Sequence, residues 1–287
     1  MKNILITGKD SYIGNSLENW LMREPNKYKV NTIDMKDETW KEKDFSQYDV
    51  VFHVAGIAHV SSAPKMEALY YKVNRDLVIE TAKKAKEEGV KQFVFMSSII
   101  VYGDSRSSKG VIDKNTVPIP SNFYGKSKLQ AEEHIRLIES DNFKIVIIRP
   151  PMIYGKGSKG NYTRLARFAK RILIFPDINN ERSILYIDNL CEFIKLIIDN
   201  EESGLYFPQN KEYVNTSEIV KLIAEVHGKK IRLTKVFNPI VRLMFGIGIV
   251  GKVFGNLVYE HSMSNYAKAS YQNISLKESI ELTERLD

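Results

Sequence analysis

Short apolar runs alternate with longer amphipathic stretches through the first half of the chain. The runs fall at 3–7, 30–34, 50–54, 92–97 and 144–149. They are too short for helices and mostly lack polar alternation, as expected of strands covered on both faces. Between them, 13–23, 66–88 and 123–139 carry apolar residues at helical spacing. Strand and helix in alternation, with crossovers long enough to make successive strands parallel, predict an α/β chain built on a doubly wound parallel sheet.

Beyond Pro150-Pro151 the pattern is less regular. Gly155-Lys-Gly-Ser-Lys-Gly160 marks a loop, 160–170 a helix, and 183–199 a strand followed by a helix. The run Ile184-Leu-Tyr-Ile187 resembles another buried strand, so this unit is expected to return to the first sheet and the lobes to interleave. The predicted division is a nucleotide-binding lobe of 1–158 plus about 182–209, and a smaller, interleaved C-terminal substrate lobe of about 159–181 and 210–287. Asn215-Thr-Ser-Glu218 offers a helix cap before the periodic run 219–226. The segment 237–258 is the most apolar of the second half. Docking on a membrane surface is one reading of it; a helix-turn-helix covering that lobe or a subunit contact is the preferred one, because interfacial helices usually carry a clearer basic face.

The chain has 287 residues, enough to bury a substantial core, and it contains no apolar stretch of membrane-spanning length. A charged N-terminus running straight into a strand predicts a cytoplasmic protein with no integral membrane association. The single Cys191 cannot form an internal disulfide and agrees with a reducing compartment. A formal charge of +7 favours anionic ligands. No nucleic-acid motif accompanies it, and no His and Cys cluster has metal-ligand spacing, so neither nucleic acid nor metal is expected.

Several features carry chemistry. Thr7-Gly-Lys-Asp-Ser-Tyr-Ile-Gly14 lies between the first strand and first helix, where backbone amides can receive a pyrophosphate: Gly8 makes the turn, Ser11 takes the place of the usual middle glycine, and Gly14 permits close helix packing. Asp34 ends the second strand, where a carboxylate can bind ribose hydroxyls, whereas Lys36 could neutralise a 2′-phosphate; NAD(H) and NADP(H) both stay open. His53-Val-Ala-Gly56 ends the third strand and can set small residues against the cofactor, with Asn74 assisting. His59, just beyond, is a candidate contact to a diphosphate or sugar oxygen. Finally, Tyr124 and Lys128 are one helical turn apart, so the ammonium can lower the phenol's pKa, and Ser98 follows the neighbouring strand.

The blocks Thr7-Gly8-X5-Gly14, His53-Val-Ala-Gly56, Ser98-X2-Val-Tyr-Gly103, Tyr124-X3-Lys128, Arg149-Pro-Pro-Met-Ile-Tyr-Gly155 and Arg182-Ser-X-Leu-Tyr-Ile-Asp188 together resemble the extended short-chain dehydrogenase/reductase superfamily, in its nucleotide-sugar epimerase, dehydratase and reductase branch. The resemblance implies a Rossmann fold and a UDP-sugar substrate. It makes Ser98, Tyr124 and Lys128 catalytic. Cofactor contacts come from Gly8, Ser11, Tyr12, Ile13, Gly14, Asp34, Lys36, His53, Ala55, Gly56, Asn74 and Pro151, besides Tyr124 and Lys128. Substrate contacts come from His59, Ser98, Asn161 and Arg182, the last two at the diphosphate. It also implies a homodimer through the helices near 66–88 and 123–139.

Dehydration across C5 and C6 needs an acid and a base after the catalytic serine, where this chain has Ile99 and Ile100. Epimerisation beside a ketone resembles a Cys-His chemistry, and Cys191 reads as core packing. Hydride exchange at C4 remains, as reductase or 4-epimerase; a non-catalytic dinucleotide-binding sensor or scaffold is the remote alternative, against which the intact Ser98, Tyr124 and Lys128 argue. The blocks Lys159-Gly-Asn-Tyr162, Asn180-Glu-Arg-Ser183 and Phe254-Gly-Asn-Leu-Val258 look like bacterial surface-polysaccharide enzymes that reduce UDP-4-keto-6-deoxy-N-acetylhexosamine, which points to the reductase first.

Overall fold

The computed structural model describes residues 1–58, 63–103, 110–243 and 248–285. They form two compact units. The first comprises Met1–Gly103, Val117–Pro150 and Leu190–Pro208, and the second Asp104–Thr116, Pro151–Asn189 and Gln209–Asp287.

The first unit is a six-stranded sheet in which every pairing is parallel. Its strands are β1 (Lys2–Thr7), β2 (Tyr28–Ile33), β3 (Val50–His53), β4 (Gln92–Met96), and two later ones at Lys144–Ile148 and Gly204–Tyr206. With a short strand β5 at Val111–Ile112 in the second unit, these last two are β6 and β10, and the sheet order is β10-β6-β4-β3-β1-β2. The chain leaves β1 in both directions, to β2 and to β3, so the topological switch point lies between the carboxyl ends of β1 and β3. Crevices of open α/β sheets bind ligands at such points.

Helices α1 (Tyr12–Leu21), α2 (Glu67–Tyr71), α3 (Leu77–Glu87) and α4 (Phe123–Arg136) complete the crossovers. Two of these helices begin at a side-chain cap. Ser11 caps α1 by accepting from the Gly14 amide at 3.1 Å, and Asn122 caps α4 by accepting from Gly125 at 2.9 Å. Phe93 and Phe95 of β4, Ala82 and Ala85 of α3, and Ala131 and Ile135 of α4 belong to one buried core cluster. The small alanines let both helices lie close to the aromatic strand.

One expectation is refined and one corrected. The stretch 66–88 is helical but not regular: α2 and α3 run on through a π turn at Lys72–Asp76, in which Asn74 is buried. The apolar run after Ser183 does not extend the main sheet. It forms β9 (Ile184–Tyr186), which pairs in parallel with β7 (Met152–Tyr154) in a separate two-stranded sheet. The sixth strand of the main sheet is instead Gly204–Tyr206, three residues reached through helix α6 (Ile187–Asp199).

The second unit also holds α5 (Asn161–Ala169), β8 (Ile174–Pro176), α7 (Thr216–Val226), β11 (Arg232–Thr234), α8 (Asn238–Leu243), α9 (Gly248–Phe254), β12 (Val258–Tyr259) and α10 (Leu276–Glu284). Asn215 caps α7, accepting from Ser217 at 2.8 Å. Among the described residues no helix is long and apolar enough to cross a membrane.

Candidate active site

At the switch point the backbone is crowded. Gly8 has φ +87°, and a Cβ there would lie 3.0 Å from the backbone of Ala55. Its amide and that of Lys9 both donate to Ile33 O, at 3.0 and 3.1 Å, tying the turn to the end of β2. A Cβ on Gly14 would meet the capping Ser11 hydroxyl at 2.5 Å, and one on Gly56 would meet Asn74 Oδ1 at 3.0 Å and Lys128 Nζ at 3.4 Å. Three glycines thus clear the same end of the sheet, a cradle that fits a dinucleotide lying on backbone rather than on side chains. Ser11 does more than occupy the middle glycine's place, because its hydroxyl holds the first turn of the helix. Tyr12 and Ile13 follow it in that turn.

Asn74 uses both ends of its amide on the loop after β3: Ile57 N donates to its Oδ1 at 2.9 Å, and its Nδ2 donates to Ile57 O at 3.0 Å. It therefore holds the loop in place. Asp34 and Lys36, opposed as alternatives in the sequence, pair with each other: the Lys36 amide donates at 3.0 Å and its ammonium at 3.3 Å to the Asp34 carboxylate. These bonds, the backbone one foremost, hold the Asp34 carboxyl below its ordinary pKa.

His53 lies fully buried, stacked on Phe93 with centroids 5.7 Å apart. Burial first, and the Lys128 ammonium second, push its pKa down to about 3, so the imidazole is neutral. Its side chain belongs to the core, and only the backbone of its strand reaches the crevice. His59 lies outside the described residues.

Ser98 starts the 3-10 helix Ile99–Tyr102 directly after β4. Its hydroxyl hydrogen-bonds the Tyr124 phenol and is what lowers that group's pKa, while burial dominates and pushes it up to about 12. The edge of Tyr70 packs against the Tyr124 ring at 5.8 Å. Lys128 is buried one turn further along α4, donates to Met96 O at 2.8 Å and lies 4.6 Å from the Phe95 ring centre. Burial lowers its pKa to about 8, opposed by the Glu132 carboxylate. The expected lowering of the phenol by Lys128 is thus not what this geometry produces. The ammonium is engaged by the strand carbonyl, and Tyr124 keeps its proton.

Several residues of this arrangement escaped the sequence reading. Gly125 stands where a Cβ would lie 2.7 Å from Ile100 O, so a residue without a side chain is what lets the Tyr124 helix approach the Ser98 turn. Glu132, fully buried, accepts from Arg149 Nε at 3.0 and 3.1 Å, from Arg149 Nη2 at 2.5 Å and from the Ser97 hydroxyl. Arg149 also donates to the Tyr102 hydroxyl at 2.7 Å. One buried ion pair therefore joins α4, the ends of β4 and β6, and the 3-10 helix behind Ser98. The only sequence signal was that Tyr102 and Arg149 sit in two of the quoted blocks and Glu132 one turn after Lys128.

In the second unit, Arg182 donates to Gly255 O at 2.9 Å and bridges Val214 through its backbone. Asn161 is exposed at the first turn of α5, and Pro151 is buried just before β7. Cys191 is buried in α6.

The model of the NAD dependent epimerase/dehydratase family matches residues 4–207. A UDP-glucose 4-epimerase of Vibrio cholerae is 29% identical over 246 residues, 78% of this chain and 75% of that protein. The N-acetyl-alpha-D-glucosaminyl-diphospho-ditrans,octacis-undecaprenol 4-epimerase of Escherichia coli O157:H7 is 28% identical, covering 83% of this chain and 70% of its own length. Among solved structures, RMD from Pseudomonas aeruginosa complexed with NADPH superposes with a TM-score of 0.77 at 18% identity, covering 99% of this chain and 98% of its own, a likeness of fold.

Proposed function

The chain belongs to the NAD dependent epimerase/dehydratase family, and from that premise we propose that it reduces C4 of a UDP-4-keto-6-deoxy-N-acetylhexosamine, yielding UDP-N-acetylquinovosamine or UDP-N-acetylfucosamine. The observation that carries this reading is a tyrosine held as an acid. Tyr124, pushed up to about 12 and hydrogen-bonded by Ser98, is protonated at neutral pH and suited to deliver its proton to a carbonyl oxygen. Ser98 polarises the same oxygen. Ile99 and Ile100 cannot shuttle protons, which leaves no dehydratase acid or base beside the serine.

The Gly8, Gly14 and Gly56 cradle, with the turn residues Ser11, Tyr12 and Ile13, would hold NAD(H) or NADP(H), which supplies or accepts the hydride when bound. Asp34 and Lys36 would face its ribose. Lys128 keeps a positive charge under the site and orients the Tyr124 turn. Arg182 and Asn161 are proposed to bind the substrate diphosphate, and the assembly is proposed to be a homodimer.

A second reading, 4-epimerase, is favoured by the names of the Vibrio and Escherichia relatives. The deciding assay supplies UDP-4-keto-6-deoxy-N-acetylglucosamine with NADH or NADPH and identifies the product by NMR. Stoichiometric oxidation with a 6-deoxy product supports the reductase. Interconversion of UDP-hexoses without added cofactor, and no oxidation, assigns the epimerase. Tyr124→Phe should lower turnover by about 10²- to 10⁴-fold with cofactor binding retained. Full activity in that variant refutes both readings.

A further inference from the structure

Two segments of the second unit carry basic residues with no acidic residue among them. Residues 160–176 and 228–243 together contain nine Lys and Arg and no Asp or Glu, against a formal net charge of +7 for the whole chain, so the remainder is slightly acidic. The fold of the second unit brings the two segments together. β8 and β11 pair in parallel with Ile174 opposite Arg232 and Phe175 opposite Leu233. Arg232 N donates to Leu173 O at 2.9 Å, and Asn238 Nδ2 at the start of α8 donates to Asp177 O at 2.8 Å.

The outer face of this ribbon is apolar as well as basic. Side chains alternate along a strand, so buried Phe175 turns inward while Ile174 and Arg232 share the exposed face. Leu173 is 73% exposed, Val236 76% and Leu243 88%, with Phe237 and Ile240 also outside. Residues 237, 240 and 243 recur every third position and form one stripe along α8. Exposed Arg171 precedes β8, and exposed Lys230 and Lys235 flank β11; Lys170 is excluded, being paired with Glu284 at 2.8 Å. The basic residues that 237–258 lacks in sequence come from Arg232 and from the segments that flank β8 and β11.

We propose that this face docks on an anionic lipid surface, its apolar side chains entering the interface and its basic side chains meeting the head groups. Large exposed apolar side chains accompanied by one sign of charge are the composition of interfacial anchors, and the complementary partner is negative and apolar at once. A bilayer rich in phosphatidylglycerol has both properties. The proposal goes beyond the C4 chemistry and stands or falls separately from it.

The test is co-sedimentation of the full-length protein with vesicles of equal parts phosphatidylglycerol and phosphatidylcholine, against pure phosphatidylcholine, at low and high salt. Binding is expected to the anionic vesicles only and to weaken with salt. Each basic residue near such a surface contributes about fivefold to partitioning, so Lys230→Gln/Arg232→Gln/Lys235→Gln should bind on the order of a hundredfold more weakly. Phe237→Ser/Ile240→Ser should lose the binding that survives high salt. Activity on a soluble nucleotide sugar, measured on the same preparations, is expected to be unchanged and confirms that the variants fold. Equal or absent binding to both vesicle types overturns the proposal. So does a soluble dimer that Ile240→Ser/Leu243→Ser converts to monomer, which would make the face a subunit contact.

Discussion

Replacing Glu132 by Gln keeps the side chain's shape and removes its charge. The buried Arg149 guanidinium then loses a carboxylate that accepts from both its Nε and its Nη2, and the Ser97 hydroxyl loses its charged acceptor. Breaking a buried ion pair by one partner costs about 3–5 kcal/mol. The amide retains an acceptor oxygen, which places the loss near the lower end, about 3 kcal/mol. For a chain of this size each kcal/mol lowers Tm by about 2–4 °C, so a fall of about 6–12 °C is expected in thermal unfolding. The functional effect is separate. The Glu132 charge opposes the burial that lowers Lys128 to about 8. Without it the Lys128 pKa falls further, the ammonium is lost at lower pH, and the alkaline limb of the kcat/KM profile moves toward neutrality. Glu132→Asp, which retains the charge, should restore the limb even where stability is not restored. A lowered Tm with an unmoved alkaline limb would show that the ion pair braces the fold without tuning Lys128.

Other consequences are accessible to simple variants. Gly125→Ala adds a Cβ 2.7 Å from Ile100 O, so it should separate Tyr124 from Ser98 and lower kcat by tenfold or more, on the order of 1–3 kcal/mol of overpacking; wild-type kinetics would show that the helix can shift at no cost. His53 is neutral in the fold with a pKa of about 3 against an ordinary 6.5. Its contribution to stability is therefore full above pH 6.5 and lost as pH falls toward 3, because the unfolded chain takes up the proton first. His53→Leu should flatten that acid slope in urea titrations, and an unchanged slope counts against the buried neutral imidazole. Lys36→Ala frees the Asp34 carboxylate from its ammonium partner and should raise the ratio of NADH to NADPH efficiency; a fall would assign the preference elsewhere.

The doubly covered strands were legible because burial on both faces leaves an apolar run that no other element imitates at that length. Their ends moved by one or two residues: β2 begins at Tyr28, hidden between Lys27 and Lys29, and it stops before Asp34, which turns out to pair with Lys36. The run at Ile184 was rightly a buried strand, but burial does not say which sheet a strand joins. Three residues at Gly204–Tyr206 carry no period at all. Ser98, Tyr124 and Lys128 were readable from spacing, since a reactive group needs its partner one turn or one strand away. Glu132 was not, because an acidic residue on a lysine-rich helix looks solvated until the fold brings Arg149 against it. Gly125 was hidden for a related reason: what it avoids, the Ile100 carbonyl, is visible only after packing.

The π turn at Lys72–Asp76 has a consequence for how this chain tolerates changes of length. Removing one residue there would regularise the helix and leave its flanking turns in phase, because the π turn is where the extra residue is absorbed. Asn74, whose amide clasps Ile57 from both directions, would swing away from the loop beside Gly56. A one-residue deletion in the middle of a long helix, ordinarily an adjustment that neighbouring packing absorbs or rejects as a whole, would here act selectively on the floor of the cradle. Insertions and deletions in this helix are therefore constrained by a loop that follows a different strand.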